Sequence, residues 1–147
     1  MSSLIGDITT HGSTPVLERL VQFAGQRHRL IAHNIANMDT PDFRPLDVST
    51  RGFQAALAKA VEERRARTGG AHGELRLEST EEVLVTGRGL SLRPRTPSGN
   101  ILYHDRNNRD LERLMQNLAE NTMMFRAATD LLRRENDLIR TAISQRL

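Results

Sequence analysis

Residues 110–147, DLERLMQNLAENTMMFRAATDLLRRENDLIRTAISQRL, contain neither Gly nor Pro. With Asn107 or Asn108 as the cap and Asp110 in the first turn, where its charge complements the helix dipole, the run predicts one helix of about 38 residues. At 1.5 Å per residue it is roughly 57 Å long. A compact chain of 147 residues has a diameter of roughly 40 Å. The helix overshoots any ball the chain can make, so the protein is elongated or the helix needs neighbours from outside its own chain.

Seven-residue columns show which neighbours. Leu111, Leu118, Phe125, Leu132 and Ile139 form one continuous apolar column, flanked by a mixed column of Met115, Thr122, Thr129, Asn136 and Ile143. Met124, Leu131 and Leu138 form a third column, with Ala128 and Ala142 between it and the first. The apolar arc is broader than a two-helix seam needs. Arg126, Arg133 and Arg140 stand on the opposite side, where Asp130 and Asp137 are spaced to pair with them.

A second long helix is predicted from Ser13-Thr14-Pro15, a hydroxyl cap followed by a Pro suited to the first turn. Leu17, Val21, Ala24, Ile31, Ile35 and Met38 recur at steps of three and four, with His28 inside the stripe. Gly25 and the polar run Gln26-Arg27-His28-Arg29 weaken its middle. It stops before Pro41: Asn37 suits a left-handed terminator, Asp39 an Asx-turn, and Thr40 is pushed to extended geometry by the Pro after it. Packing this helix against the last one as a hairpin is the simplest use of both stripes. Its 23 residues or so cover about 35 Å, which leaves over a third of the longer helix for apolar neighbours from other chains.

The middle is shorter-ranged. Residues 53–67, FQAALAKAVEERRAR, predict an amphipathic helix with Phe53, Ala56, Leu57, Ala60 and Val61 on one side, ended by Gly69, Gly70 and Gly73. From Glu74 the period changes: Leu75 and Leu77, Val83 and Val85, Leu90 and Leu92, and Ile101 and Tyr103 read as short strands or extended loops among Gly, Pro and Ser, with partial disorder the alternative. The fold expected is mainly α, its long terminal helices forming an elongated helical-bundle unit around a small irregular or β-containing middle. Its parts are a flexible N-terminus over 1–14, a core helix and turn over 15–41, a middle segment over 42–103 and a C-terminal core helix over 104–147.

Composition narrows the function. With no Trp, one Tyr and four Phe, the core must be mostly aliphatic. The 21 basic residues, all Arg except Lys59, exceed the 18 acidic ones by +3, and no third of the chain carries a strong basic field, which argues against a dedicated nucleic-acid binder. Without Cys there is no disulfide, thiolate nucleophile or cysteine metal site. No run approaches the roughly 20 apolar residues of a membrane span, and the first residues lack the pattern of a secretory signal, so ordinary signals point to the cytoplasm.

Candidate chemistry dissolves on inspection. His11, His28, His33, His72 and His104 make no HxxxH pair, Gly87-Arg88-Gly89 lacks the Lys and context of a phosphate loop, and Ser91 and Ser98 have no neighbouring base. Asp39, Asp42 and Asp47 are explained by turn formation, and Arg64, Arg65 and Arg67 by a solvated helix end. No catalytic, metal or cofactor site is expected.

Residues 32–43, AHNIANMDTPDF, resemble the ANNIANxxTPxY signature of the rod, hook and hook-associated proteins of the bacterial flagellum. The signature positions are Asn34, Ile35, Ala36, Asn37, Thr40 and Pro41, and Phe43 stands for the usual Tyr as His33 stands for the first Asn. Residues 105–112, DRNNRDLE, and 118–125, LAENTMMF, are similar to the DGNxVDLExEM and LAENxxxY patterns of proximal rod proteins, with Arg106 in place of Gly, Leu114 in place of Glu and Phe125 in place of Tyr. The PNV motif of the FlgC-like branch is missing, and distal rod and hook proteins are much longer.

The resemblance implies a non-enzymatic subunit of the proximal rod in the basal body, assembling through its terminal helices and helping to carry torque from motor to hook. It implies as partners other rod subunits, FlgC-like ones among them, the ring and export-gate adaptor proteins of the basal body, and the flagellar type III export apparatus, with no nucleic acid and no membrane span. It places the chain in the periplasmic rod, exported without a cleaved signal peptide. The assembly contacts then fall on Leu17, Val21, Ile31, Ile35, Leu111, Leu118, Asn121, Phe125, Leu132 and Ile139. A soluble helical adaptor binding RNA weakly through its Arg residues is the alternative, and steep salt dependence on an anionic polymer would mark it.

Overall fold

The computed structural model describes residues 12–96 and 111–144. The expectations for the first residues, the Ile101 and Tyr103 pair, His11 and His104, the caps at Asn107 or Asn108, and the motif residues 105–110 lie outside them. The element order is α1 (Thr14–Ala36), α2 (Thr50–Thr68), β1 (Val83–Thr86), β2 (Gly89–Leu92) and α3 (Leu111–Ser144). The fold is mainly α, with two long helices toward the ends and a two-stranded antiparallel sheet between them.

α1 carries two working faces. One packs antiparallel along α3: Ala24 near its middle accepts from Asn121, and Ser13 at its start bonds Glu135. The other faces a core built from Phe23, Val48, Phe53, Leu57, Ala60, Leu75, Leu77, Val83 and Leu90. The apolar stripe expected on α1 holds at Leu17, Ala24 and Ile31, which are buried, and His28 is exposed. The second face was hidden in the sequence because Arg27 and Asn34, both buried, interrupt it.

At the centre of the core Phe23 and Phe53 stack with centroids 4.0 Å apart and planes 1° from parallel, so an otherwise aliphatic core has an aromatic heart. α2 begins earlier than Phe53 because Ser49 caps it, its Oγ accepting from Gly52 N at 2.9 Å. It ends on Gly69 at φ 72°, whose amide donates to Arg65 O. Arg64 is not part of a solvated end: it is 3% exposed, and its Nη2 donates to Gly12 O at 3.0 Å.

β1 and β2 pair from Val83↔Leu92 to Thr86↔Gly89. Gly89 sits at φ 131°, a conformation that side chains rarely adopt, and a Cβ there would lie 3.0 Å from Gln22 Oε1 on α1, so the hairpin tip favours glycine. Leu75 and Leu77 are buried without joining the ladder; the segment packs its side chains on the core and takes no strand partner among the described residues. The third of the chain with the weakest pattern thus supplies Leu75, Leu77, Val83 and Leu90 to the core.

Candidate assembly interface and its turn

Asn37 closes α1. Its amide donates to His33 O at 3.1 Å and its Nδ2 to the same oxygen at 2.8 Å. At φ −108° and ψ 10° it is not the left-handed terminator expected, since its side chain satisfies the helix carbonyl without that conformation. The left-handed residue is Asp42, at φ 59°. Between them Thr40 N donates to Asn37 O at 3.0 Å and Phe43 N to Thr40 O at 3.3 Å. Ala36, Thr40 and Pro41 are exposed, and Ile35 is half-buried with its carbonyl accepting from Met38 N.

The direction in which the chain leaves this turn is held by α1 itself. Asn34 donates from Nδ2 to Leu46 O at 2.7 Å and accepts at Oδ1 from Leu46 N at 3.0 Å. Two turns earlier Gln26 does the same to the hairpin, donating to Leu90 O at 2.7 Å and accepting from Leu92 N at 3.3 Å. Each amide acts as one rung of a strand against a backbone edge. Between them Arg27 grips Asp47 through two bonds, Nε to Oδ1 at 2.9 Å and Nη2 to Oδ2 at 2.8 Å. Asp47 also exchanges backbone bonds with Arg95, each 2.9 Å. Turn formation therefore does not explain Asp47, which is the half-buried anchor of the returning chain.

Asn34→Ala is expected to strip Leu46 of both partners and cost about 1–3 kcal/mol, read as a lower urea midpoint. A midpoint within experimental error of the parent would show that the exit path is held by Arg27 and Asp47 alone.

The two departures from the flagellar signature meet in space. The His33 ring stands edge-on to Phe43 with centroids 5.6 Å apart and planes at 66°, so the ring that replaces Tyr finds an aromatic neighbour in place of a phenolic hydrogen bond.

Among the described residues the exposed large hydrophobic side chains lie on α3. Asn121, at 0% exposure, and Ala128 lie against α1, and Asn121 Nδ2 donates to Ala24 O at 2.9 Å. Leu118, Leu132 and Ile139 are half-buried beside them, and Phe125 lies over Gly25, where a Cβ would meet its ring at an ordinary 3.7 Å. The hairpin encloses Leu17, Ile31 and Asn121 within their own chain and leaves Val21 and Ile35 half-buried. On one flank of the contact Leu111, Met115 and Ile143 are exposed, and on the other Leu131 at 50% and Leu138 at 69%. Asp130 approaches Arg133 three residues on, at 3.9 Å between exposed groups.

Glu135 is a residue that the periodicity passed over. Burial pushes its carboxyl up, but hydrogen bonds from the Ser13 side chain and amide and the Thr14 hydroxyl outweigh that and hold it below the ordinary value. In the middle segment the Glu78 carboxylate bonds Lys59 at 2.8 Å, which raises the lysine and lowers the acid. The periodicity passes over Gln26, Arg27 and Asp47 too: Gln26, Arg27 and Asn34 share one helix face at spacings of seven and eight, but the partners that give that spacing meaning come only with the fold.

An open groove of about 360 Å³ lies where the three helices meet, lined by Val16, Leu20, Leu57, Ala58, Val61 and Met124 with Gln54 and Glu62. Among the described residues no three His, Asp or Glu side chains gather where a metal would sit, and no helix is long and apolar enough to cross a membrane.

No protein-family model matches the chain. Among curated relatives, the flagellar basal body rod protein FlgB of Borrelia hermsii is 30% identical over 125 residues, covering 81% of this chain and 86% of that protein. The chain belongs to the FlgB family. FlgB of Yersinia enterocolitica is 30% identical over 123 residues, 82% of this chain and 83% of its own, and that of Salmonella typhimurium 28% over 118 residues, 78% and 80%. The matches agree with the family resemblance read from the sequence.

Proposed function

We propose that this FlgB-family chain is a structural subunit of the proximal rod of the flagellar basal body, assembling through its terminal helices and passing torque from the motor toward the hook. The observation that carries the reading is the apolar surface of α3, exposed on both sides of its contact with α1 at Leu111, Met115, Leu131, Leu138 and Ile143. A patch of that kind on one long helix calls for apolar neighbours. Neighbouring rod subunits, FlgC-like ones included, cover it. Leu17, Val21, Ile31, Ile35, Leu118, Asn121, Leu132 and Ile139 hold the hairpin that presents it, and Leu111 and Phe125 extend it.

The turn from Asn34 through Asn37, Thr40 and Pro41 to Phe43 sets the path on which the middle segment leaves the bundle. The role is mechanical, without catalysis or cofactor. The chain reaches the periplasmic rod through the flagellar type III export apparatus without a cleaved signal, and meets ring and export-gate adaptor proteins at the base.

The test is deletion of the gene in the source bacterium with a tagged copy supplied back. Loss of swimming, restored by the copy, and recovery of the tag in purified basal bodies are expected. Normal swimming in the deletion strain, or a tag that stays out of basal bodies while swimming is restored, would sink the reading.

A further inference from the structure

We infer that Glu135 sets the register in which α3 lies against α1. The apolar side of α3 does not choose a register by itself, because Leu118, Phe125, Leu132 and Ile139 follow one another every seven residues. A slip by seven, about 10 Å along the axis at 1.5 Å per residue, replaces apolar with apolar.

Polar groups of the contact must therefore decide, and Asn121 and Glu135, whose side chains reach α1, stand at one position of the repeat, which Ala128 and Ala142 share. Asn121 discriminates weakly. Its Nδ2 reaches Ala24 O, but its Oδ1 is buried with no partner, so what the donor gains the acceptor loses.

Glu135 is different. Its Oε1 accepts from Ser13 N at 3.1 Å and Ser13 Oγ at 2.7 Å, and its Oε2 from Thr14 Oγ1 at 3.0 Å. Ser13 is the cap of α1, yet its hydroxyl accepts nothing from the helix, and the first turn of α1 holds no acidic residue of its own. The carboxylate from α3 thus does the work of both cap and dipole partner. Only one register brings it there; a slip by seven puts Ala128 or Ala142 at the same place.

The receiving end is shaped for it. Gly12 is at φ +68°, and a Cβ there would lie 2.8 Å from Glu135 Oε1. Gly12 is in turn tied to the middle segment, its amide donating to Ala71 O at 2.8 Å and its carbonyl accepting from Arg64 Nη2 at 3.0 Å. The latch therefore fixes α3 relative to α1 and the α2 end together, and it determines that residues 136–144 are the part of α3 that runs past the start of α1. The inference concerns the isolated chain and stands or falls apart from the rod reading.

The chain has no Cys, so spin labels at Arg29→Cys and Asp137→Cys, both exposed positions far apart along the hairpin, report the register as a distance in the full-length protein. One distance is expected with Glu135 present. In Glu135→Ala a second population displaced by about 10 Å is expected, with helicity by circular dichroism unchanged. In Glu135→Ala combined with Ala142→Glu the carboxylate moves one repeat along, and a single population shortened by about 10 Å is expected. One unchanged distance in Glu135→Ala overturns the inference, because the register is then set elsewhere. Loss of helicity in that variant overturns it too, since Glu135 would then hold the hairpin together and not choose its alignment. Failure of the double variant to move the distance has the same force.

Discussion

Phe53→Ala should lower the unfolding free energy by about 3–5 kcal/mol. Phe53 is 2% exposed and stacks face to face on Phe23, which is 0% exposed, so truncation removes a large buried area, opens a void and ends a ring contact that adds about 0.5–1.5 kcal/mol beyond burial. The pair also bridges α1 and α2, and no other aromatic ring lies in the buried cluster to close the gap. Urea unfolding followed by circular dichroism is the measurement. Gln54→Ala, at the exposed neighbour, should stay within about 0.5 kcal/mol of the parent. A Phe53 variant that unfolds with its Gln54 counterpart would show that the middle unit adds nothing to the stability of α1.

How well each element could be read follows from where its partners lie. α3 was legible because its information is internal: an unbroken run without Gly or Pro and a column repeated every seven residues. The start of α1 at Pro15 and its stop before Pro41 are local backbone chemistry, and a local reading finds them. The inner face of α1 is another matter. Gln26 and Arg27 look like residues that weaken a helix and Asn34 like a motif position, and all three become comprehensible only with Leu90, Asp47 and Leu46 beside them, contacts separated by 64, 20 and 12 residues.

Arg64 shows the same limit, since a guanidinium among Arg65 and Arg67 reads as solvated until Gly12 is brought to it. Asn37 is ambiguous for a subtler reason. Its residue type suits two caps, one through a left-handed backbone and one through its side chain, and composition does not choose between them. At the interface the broad apolar arc of α3 was plain, but which part of it α1 covers depends on the register, and the carboxylate at 135 that meets Ser13 has no place in an apolar pattern.

Leu131→Asp with Leu138→Asp should abolish swimming and remove the chain from basal bodies while leaving the isolated protein as helical and as stable to heat as the parent. The two requirements come from one fact. Leu131 and Leu138 are 50% and 69% exposed in the single chain, so a carboxylate there is solvated and each change costs within about 0.5 kcal/mol. Once a neighbouring subunit covers that flank, each carboxylate is buried without a partner, at several kcal/mol apiece, because neither water nor a cation reaches it. Leu132→Asp is the blunter probe. Leu132 is half-buried in the single chain, so its variant should lose helicity in the isolated protein as well as incorporation. Arg133→Ala is the control: its approach to Asp130 is 3.9 Å between exposed groups, a pair contributing about 0–1 kcal/mol, and that protein should incorporate and swim normally. Swimming by the Leu131 and Leu138 double variant would mean that this flank faces water in the assembled rod. The apolar neighbours of α3 would then have to lie on the Leu111, Met115 and Ile143 side alone.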